Sequence, residues 1–122
     1  MIKMIALLKR KPDLSHEEFV DHWINIHAPL ARGIPGTRRY VQCHIVTEQR
    51  RADIEEIPLE ADGIAELWFD SAESMKDTHQ TAKMQRLLAD GATFIGQIKT
   101  FIVDETDIDL IPQAARASAR DD

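Results

Sequence analysis

Cysteine is nearly absent from this chain. Cys43 is the single cysteine among 122 residues, so no disulfide can form within the chain. An unpaired thiol is typical of a reducing compartment, which favours a cytoplasmic location. Glycine and proline number only 5 each, and the sequence contains neither an internal repeat nor a low-complexity domain.

An excess of positive charge is also missing. The chain has 15 lysine and arginine residues against 21 acidic ones, which gives a formal net charge of -6. Proteins that bind nucleic acids contact phosphates through a basic surface. Because no stripe of Lys or Arg occurs, the sequence argues against a nucleic-acid partner.

Long hydrophobic runs are absent as well. The apolar stretch at residues 1–8 ends at the basic residues 9–11, and no small-residue cleavage site follows it. Neither a secretory signal nor a membrane span is therefore expected. Hydrophobic residues nevertheless make up 43% of the chain and charged residues 30%, which is ordinary for a globular protein of one domain.

The first half of the chain predicts a strand, a helix and a second strand. Residues 2–8 form an almost unbroken apolar run, which is typical of a buried strand. Ser15 and Glu18 form a capping box, which predicts a helix start, and Pro29 predicts the helix end just before it. Alternating apolar and polar residues predict the second strand over residues 37–47.

The second half predicts a loop, a strand, a helical region and a last strand. Residues 48–62 are mostly charged and predict a solvated loop. Strict alternation predicts a strand over residues 63–69. Helical spacing of apolar residues predicts a helical region over residues 72–89, in one or two pieces, which Gly91 ends. The β-branched residues of 98–103 predict the last strand.

This order of elements predicts an α+β fold. The order β-α-β-β-α-β is that of a ferredoxin-like domain, an antiparallel sheet with helices on one face. The other face would stay bare although it carries apolar residues, which is a liability in a monomer. We therefore expect a homodimer, a dimeric α+β barrel in which two sheets enclose a cavity. The expected boundaries are residues 1–105 for the domain and 106–122 for a C-terminal arm or flexible tail.

His27 is the first candidate for chemistry. Phe19, Trp23 and His27 recur every four residues, so they share the apolar face of the predicted helix. The helix C-terminus favours a protonated imidazole, and His27 could transfer protons there. The alternative is a core histidine that bonds to a backbone carbonyl.

Polar and aromatic side chains mark one face of two strands. Tyr40, Gln42 and His44 share a face of the second strand, and Glu66 and Trp68 share a face of the third. In a monomer such faces would contact solvent. In the dimeric barrel, the face away from the helices is the cavity wall, so we expect these five side chains to line a pocket for a small polar molecule.

The remaining candidates favour structural roles. Glu66 could have a raised pKa and act as an acid or base, or it could pair with Arg38 or Arg39. Cys43 lies in the apolar phase of its strand, which is more typical of inert packing than of a nucleophile. No metal-ligand spacing occurs, and no GxGxxG, Walker, GxSxG or CxxC motif, so no metal or nucleotide site is expected.

Several motifs together resemble the EthD-like family. They are LLKRKP at 7–12, SHEEF at 15–19, HW at 22–23, HAPLA at 27–31, PG at 35–36, RYVQ at 39–42, DGIAELWF at 62–69, and Asp90 with Phe94. The resemblance covers about residues 2 to 105. It implies a dimeric α+β barrel that works without metal or flavin, and it implies catalytic roles for a histidine that His27 matches and a tyrosine that Tyr40 matches.

Our first hypothesis is a cofactor-free enzyme that uses general acid-base chemistry. It would isomerise, cyclise or decarboxylate a small aromatic-derived or lactone-like acid, with His27 and Tyr40 as catalytic residues and residues 48–62 as a candidate lid. The alternatives are a non-catalytic accessory protein that binds a small organic molecule, and a cofactor-independent oxygenase of phenolic substrates. The expected substrate-binding residues are Trp23, Gln42, His44, Glu66 and Trp68.

Overall fold

Four antiparallel strands form one sheet, and helices cover one of its faces. A computed structural model describes residues 1–111 of the chain. In the order β2-β3-β1-β4, the sheet confirms the predicted ferredoxin-like topology. The strands are β1 (Ile2–Arg10), β2 (Thr37–His44), β3 (Gly63–Phe69) and β4 (Ile95–Val103).

The core lies between the sheet and the helices. Ala6 of β1 is opposite Ala65 of β3 and Thr100 of β4, so side chains of equal phase in these three strands point to the same face. Phe19 packs with its ring centroid 5.1 Å from that of Phe94. The buried apolar residues of this layer are Ala6, Leu8, Phe19, Trp23, Ala65, Leu67, Phe69 and Phe94.

The first helical stretch runs past its predicted end. It consists of α1 (His16–His22), a π-helical turn (Trp23–His27) and α2 (Ala28–Ala31). The predicted capping box of Ser15 and Glu18 is confirmed. Pro29 does not stop the helix because the turn before it is widened, with Ala28 N–H donating to Trp23 O five residues earlier.

The second helical region has two pieces. They are α3 (Ala72–His79) and α4 (Ala82–Phe94), whose N-termini are capped by the side chains of Ser71 and Thr81. Gly91 does not end α4 as predicted. It lies within the helix and faces the first helical stretch, where a Cβ at Gly91 would make an ordinary contact, 3.7 Å from His27 Cε1.

The long connection between β2 and β3 is held mainly at its end. β2 ends at His44, three residues before the predicted boundary, and no helix or strand forms over residues 45–62. The buried carboxylate of Asp62 accepts hydrogen bonds from the Arg10 backbone N–H (2.7 Å), the Arg10 guanidinium (2.6 Å) and His16 Nδ1 (2.8 Å). Asp62 thereby ties the loop to β1 and α1.

The C-terminal region follows β4 without further regular structure as far as residue 111. The predicted arm spans residues 106–122, of which 112–122 lie outside the described residues. Within residues 1–111, no helix is long and apolar enough to cross a membrane.

Candidate active site

A cavity of about 300 Å³ lies between the helix-covered face of the sheet and the helices. Its wall is mostly apolar, with a few polar side chains, which is the usual character of a small-molecule site. The lining residues are Met4, Ala6, Leu8, Trp23, His27, Tyr40, Ala65, Leu67, His79, Met84, Leu87, Leu88, Gly91, Ala92, Ile95 and Ile98.

His27 ends the π-helical turn and is only 8% exposed. Its Nδ1 lies 2.8 Å from Oδ2 of Asp90. A carboxylate only accepts hydrogen bonds, so Nδ1 carries the proton, and the neutral ring keeps its free electron pair on Nε2. Burial lowers the pKa of His27, although the hydrogen bond and charge of Asp90 act in the opposite direction. His27 is therefore equipped as a general base.

Asp90 of α4 is held between two histidines. Besides His27, it contacts His22, whose Nε2 lies 3.1 Å from both carboxylate oxygens. The ring of His22 also packs on Phe94, with 4.4 Å between the ring centroids. These contacts fix the carboxylate, and through it the orientation and tautomer of His27.

The π-helical turn brings these two histidines together. Residues five apart in a regular α-helix are rotated by about 140° from one another. In the π turn the hydrogen bonds join residues five apart, so His22 and His27 lie on one side and both reach Asp90. Regular helical periodicity predicts that His22 and His27 point in different directions, so the sequence pattern gives no sign that both histidines contact Asp90.

Tyr40 places a hydroxyl in the cavity wall. Its oxygen accepts hydrogen bonds from Trp23 Nε1 and from Gln42 Nε2, both at 3.0 Å. With these two bonds accepted, the hydroxyl proton is available for donation. Burial raises the pKa of Tyr40, against the opposing effect of the two hydrogen bonds, so the phenol stays neutral.

Gln42 and His44 lie behind Tyr40 and do not line the cavity. Gln42 Nε2 also donates to the Trp23 carbonyl (2.9 Å), while its Oε1 lies 3.0 Å from His44 Nε2. Because Oε1 only accepts, His44 Nε2 donates and fixes the orientation of the amide. In this structure the two side chains orient Tyr40, in place of the substrate contact expected from the sequence.

The expectation that Glu66 and Trp68 share a pocket with Tyr40 was wrong. In the sheet register, Tyr40 is opposite Leu67 and Val41 is opposite Glu66. Since side chains alternate between faces, Tyr40 points to the helices with Leu67, and Glu66 and Trp68 point to the open face. The polar face of β2 is thus the helix-covered one, and the cavity belongs to one chain, beneath its own helices.

Glu66 and Trp68 belong to a charged cluster on the open face. Glu66 pairs with Lys3 and accepts from Cys43 Sγ at 3.1 Å. Trp68 Nε1 donates to Glu105 at 2.6 Å, and Lys3 Nζ lies 4.4 Å from the Trp68 ring centroid. The hydrogen bond from Lys3 lowers the pKa of Glu66. Of the two interpretations of Glu66, the ion pair holds, with Lys3 as the partner.

The loop expected as a lid lies away from the cavity. No residue of 48–62 lines it. Glu60 pairs with Lys9 at 2.8 Å, and the loop borders Gln97 on the edge of the sheet. In this arrangement of the chain the loop does not close over the cavity, and its role as a lid stays a prediction. Among residues 1–111, no group of three His, Cys, Asp or Glu side chains is arranged to hold a metal ion.

A family model for the EthD domain matches residues 11–98. The chain belongs to the EthD domain family. This match confirms the resemblance drawn from the motifs. A curated relative, the 4-carboxymethyl-4-methylbutenolide mutase of Pseudomonas reinekei, is 26% identical over 106 residues, which are 86% of this chain and 98% of the relative.

Solved structures agree with this EthD fold. An EthD family protein of Bacillus halodurans superposes with a TM-score of 0.69 at 29% identity, over 87% of this chain and 99% of that one. A dimeric ferredoxin-like protein of Thermobifida fusca superposes with a TM-score of 0.60 at 17% identity, over 84% and 88% of the two chains. The second likeness supports the fold alone.

Proposed function

We propose that this EthD protein is a cofactor-free enzyme that moves a proton within a small lactone-like acid. One observation carries the proposal: the buried Asp90–His27 pair presents a neutral imidazole to an apolar cavity that also holds a hydroxyl donor, Tyr40. Base and hydrogen-bond donor in one water-poor pocket are the parts that an isomerase needs.

In the proposed reaction, His27 Nε2 removes a proton from the saturated ring carbon that is conjugated, through the ring double bond, with the lactone carbonyl. Negative charge develops on the carbonyl oxygen, and the Tyr40 hydroxyl donates a hydrogen bond to it. The imidazolium that forms is stabilised by Asp90, which already bonds to Nδ1 at 2.8 Å. His27 then returns the proton at a different atom of the substrate, which completes an isomerisation.

The curated relative supports the substrate class. Its name describes a mutase of a carboxymethyl-substituted butenolide, a small lactone that carries an acid group. A cavity of about 300 Å³ has room for a molecule of this size. We therefore propose a butenolide acid or a similar unsaturated lactone acid as the substrate of this chain.

Deuterium exchange tests the proposal. The protein, treated with EDTA, is incubated in D₂O with 4-carboxymethylbutenolide, which carries a hydrogen on its saturated ring carbon, and ¹H NMR follows the ring protons. We expect exchange or isomerisation well above the rate in buffer. Tight binding with no exchange, for this lactone and for a panel of related lactone and aromatic acids, would instead support a non-catalytic binding protein.

We further propose that the open face of the sheet pairs with that of a second copy. Apolar side chains such as Ile5, Leu7 and Phe101 point to this face, and Phe101 is 43% exposed in the isolated chain. A structural neighbour, the ferredoxin-like protein of Thermobifida fusca, is dimeric. Light scattering after size-exclusion chromatography should give the mass of a dimer for the wild-type protein. Phe101→Asp should dissociate this dimer, whereas Ile26→Asp, a substitution on the helix side, should leave it intact. A wild-type monomer would contradict the pairing.

A further inference from the structure

The cavity holds a second imidazole that the proposed reaction does not use. His79, the last residue of α3, lines the same cavity as His27. Its Nδ1 lies 2.8 Å from the backbone carbonyl of Met75. A carbonyl only accepts, so Nδ1 donates, and Nε2 is the ring nitrogen left without a partner among residues 1–111.

His79 lies toward the opposite end of the cavity floor from Trp23. Its ring is 6.2 Å from that of Phe69, whereas the indole of Trp23 covers Gly63, where no side chain stands in its way. Tyr40 is opposite Leu67, two residues before Phe69, so the positions of Tyr40 and Phe69 are about 7 Å apart along β3 at roughly 3.3 Å per residue, a distance that a small lactone acid can span. The hydroxyl of Tyr40 belongs to the Trp23 end, because Trp23 Nε1 donates to it.

The cavity offers few other partners for an acid group. Within the described part of the chain, none of its lining residues is Lys or Arg. Trp23 Nε1 is already bonded to Tyr40, and His27 Nδ1 to Asp90. A carboxyl group placed in an apolar cavity without a hydrogen-bond partner would be strongly disfavoured. His27 Nε2 and the Tyr40 hydroxyl are assigned to the reaction, which leaves His79 Nε2 to bind the acid group.

We propose that His79 Nε2 binds the carboxyl group of the substrate, with the proton of the acid lying between Nε2 and a carboxyl oxygen, and so sets the orientation in which the lactone ring reaches His27 and Tyr40. The inference rests on the proposed function, because it assigns the acid end of the same substrate. It makes His79 a specificity residue that distinguishes lactone acids from neutral lactones, with no part in proton transfer.

The test compares two ligands that differ in the carboxyl group. They are 4-carboxymethyl-4-methylbutenolide and 4-ethyl-4-methylbutenolide, in which an ethyl group replaces carboxymethyl. Binding is followed by the fluorescence of Trp23 in a Trp68→Phe background, where Trp23 is the sole tryptophan. We expect the protein with His79 unchanged to bind the acid more tightly than the neutral lactone.

His79→Leu should raise the Kd of the acid by about 10- to 100-fold, the usual range for a lost hydrogen bond to a charged group, and leave the Kd of the neutral lactone unchanged. His79→Gln, whose amide can place a donor near the position of Nε2, should restore part of the affinity. His16→Gln, a histidine substitution outside the cavity, serves as the matched control. Circular dichroism checks that each variant is folded.

Two results would overturn the assignment. One is equal affinity of the wild-type site for acid and neutral lactone; the other is an acid affinity that His79→Leu does not change. Because binding is measured without turnover, neither result depends on whether His27 catalyses exchange. A His79→Leu variant that binds the acid normally but loses turnover would assign His79 to proton transfer and would also contradict the anchoring role.

Discussion

The titratable groups on the two sides of the sheet are in opposite electrostatic states. Beneath the helices, burial lowers the pKa of His27 and raises that of Tyr40, so both groups are kept neutral. On the open face, their mutual hydrogen bond raises the pKa of Lys3 and lowers that of Glu66, so both groups are kept charged.

This difference in charge compensation separates a structural polar cluster from a reactive one. On the open face each charge is compensated by a neighbour, and the cluster has no free base. In the cavity, Asp90 bonds only to Nδ1 of His27, so the lone pair on Nε2 stays free. Trp23 donates to the hydroxyl oxygen of Tyr40, so the hydroxyl proton stays free. The first arrangement stabilises structure, whereas the second can act on a ligand.

Replacement of His27 should have the largest effect. His27→Gln removes the proposed base, and we expect turnover of a butenolide acid to fall by about 10²- to 10⁴-fold with the fold intact. Steady-state kinetics and circular dichroism measure the two quantities. His16→Gln, which removes a histidine–aspartate contact outside the cavity, should keep nearly full activity. A folded His27→Gln enzyme with wild-type turnover would contradict the account.

Asp90→Asn should have the next largest effect. The amide can donate to Nδ1 and thus allow the wrong tautomer of His27, so we expect a loss of about 10²-fold. The pKa of His27 should also fall further, because Asp90 is what raises it against burial. An NMR titration of His27 would show a wild-type midpoint below the ordinary value of 6.5 and a lower one in the variant. An upward shift would be inconsistent with this role of Asp90.

The strands and the capping box could be predicted because their signals are local. Ser15 with Glu18, and the alternation over residues 63–69, lie within a few residues of one another. The assignment of faces could not be predicted in the same way. It depends on the pairing of Tyr40 with Leu67, 27 positions along the chain, and a shift by one residue exchanges the two faces.

The candidate site was predicted in part for the same reason. His27 and Tyr40 follow from helix periodicity and from family motifs, and both line the cavity. Asp90 contacts His27 across 63 positions, and His22 joins it only because the helix widens into a π turn. Neither the distant contact nor the widened turn has a signature in regular periodicity.

A change on the open face should have a small, pH-dependent effect on stability. Glu66→Gln removes the partner of Lys3, and we expect a loss of about 1 kcal/mol or less at neutral pH, because partial exposure screens the pair. The folded-state pKa of Glu66 lies below its ordinary value of 4.5, so its stabilising contribution is present above that value. Urea unfolding at several pH values measures the difference in unfolding free energy between the wild type and the variant. This difference should vanish as the pH falls through the folded-state pKa of Glu66, and a difference that grows in acid would contradict the pairing.

Gly91→Ala should have the smallest effect on stability. The added Cβ would lie 3.5 Å from Ile95 Cδ1 and 3.7 Å from His27 Cε1, which are ordinary contacts. We expect a gain of about 0.4–1 kcal/mol from the lower entropy of the unfolded chain, measured by thermal unfolding. Gly36→Ala is the contrasting variant and should destabilise the protein, because Gly36 has a φ of +84°. Loss of stability in both variants would contradict the close but unstrained approach at Gly91.

The most direct test uses the two tryptophans, because the chain has only two and each face holds one. Trp23 Nε1–H bonds to Tyr40 beneath the helices, and Trp68 Nε1–H bonds to Glu105 on the open face. In a ¹H–¹⁵N NMR titration with 4-carboxymethyl-4-methylbutenolide, the account predicts that the Trp23 indole signal shifts and the Trp68 signal stays. A shift confined to Trp68 would place the ligand on the open face and contradict the site.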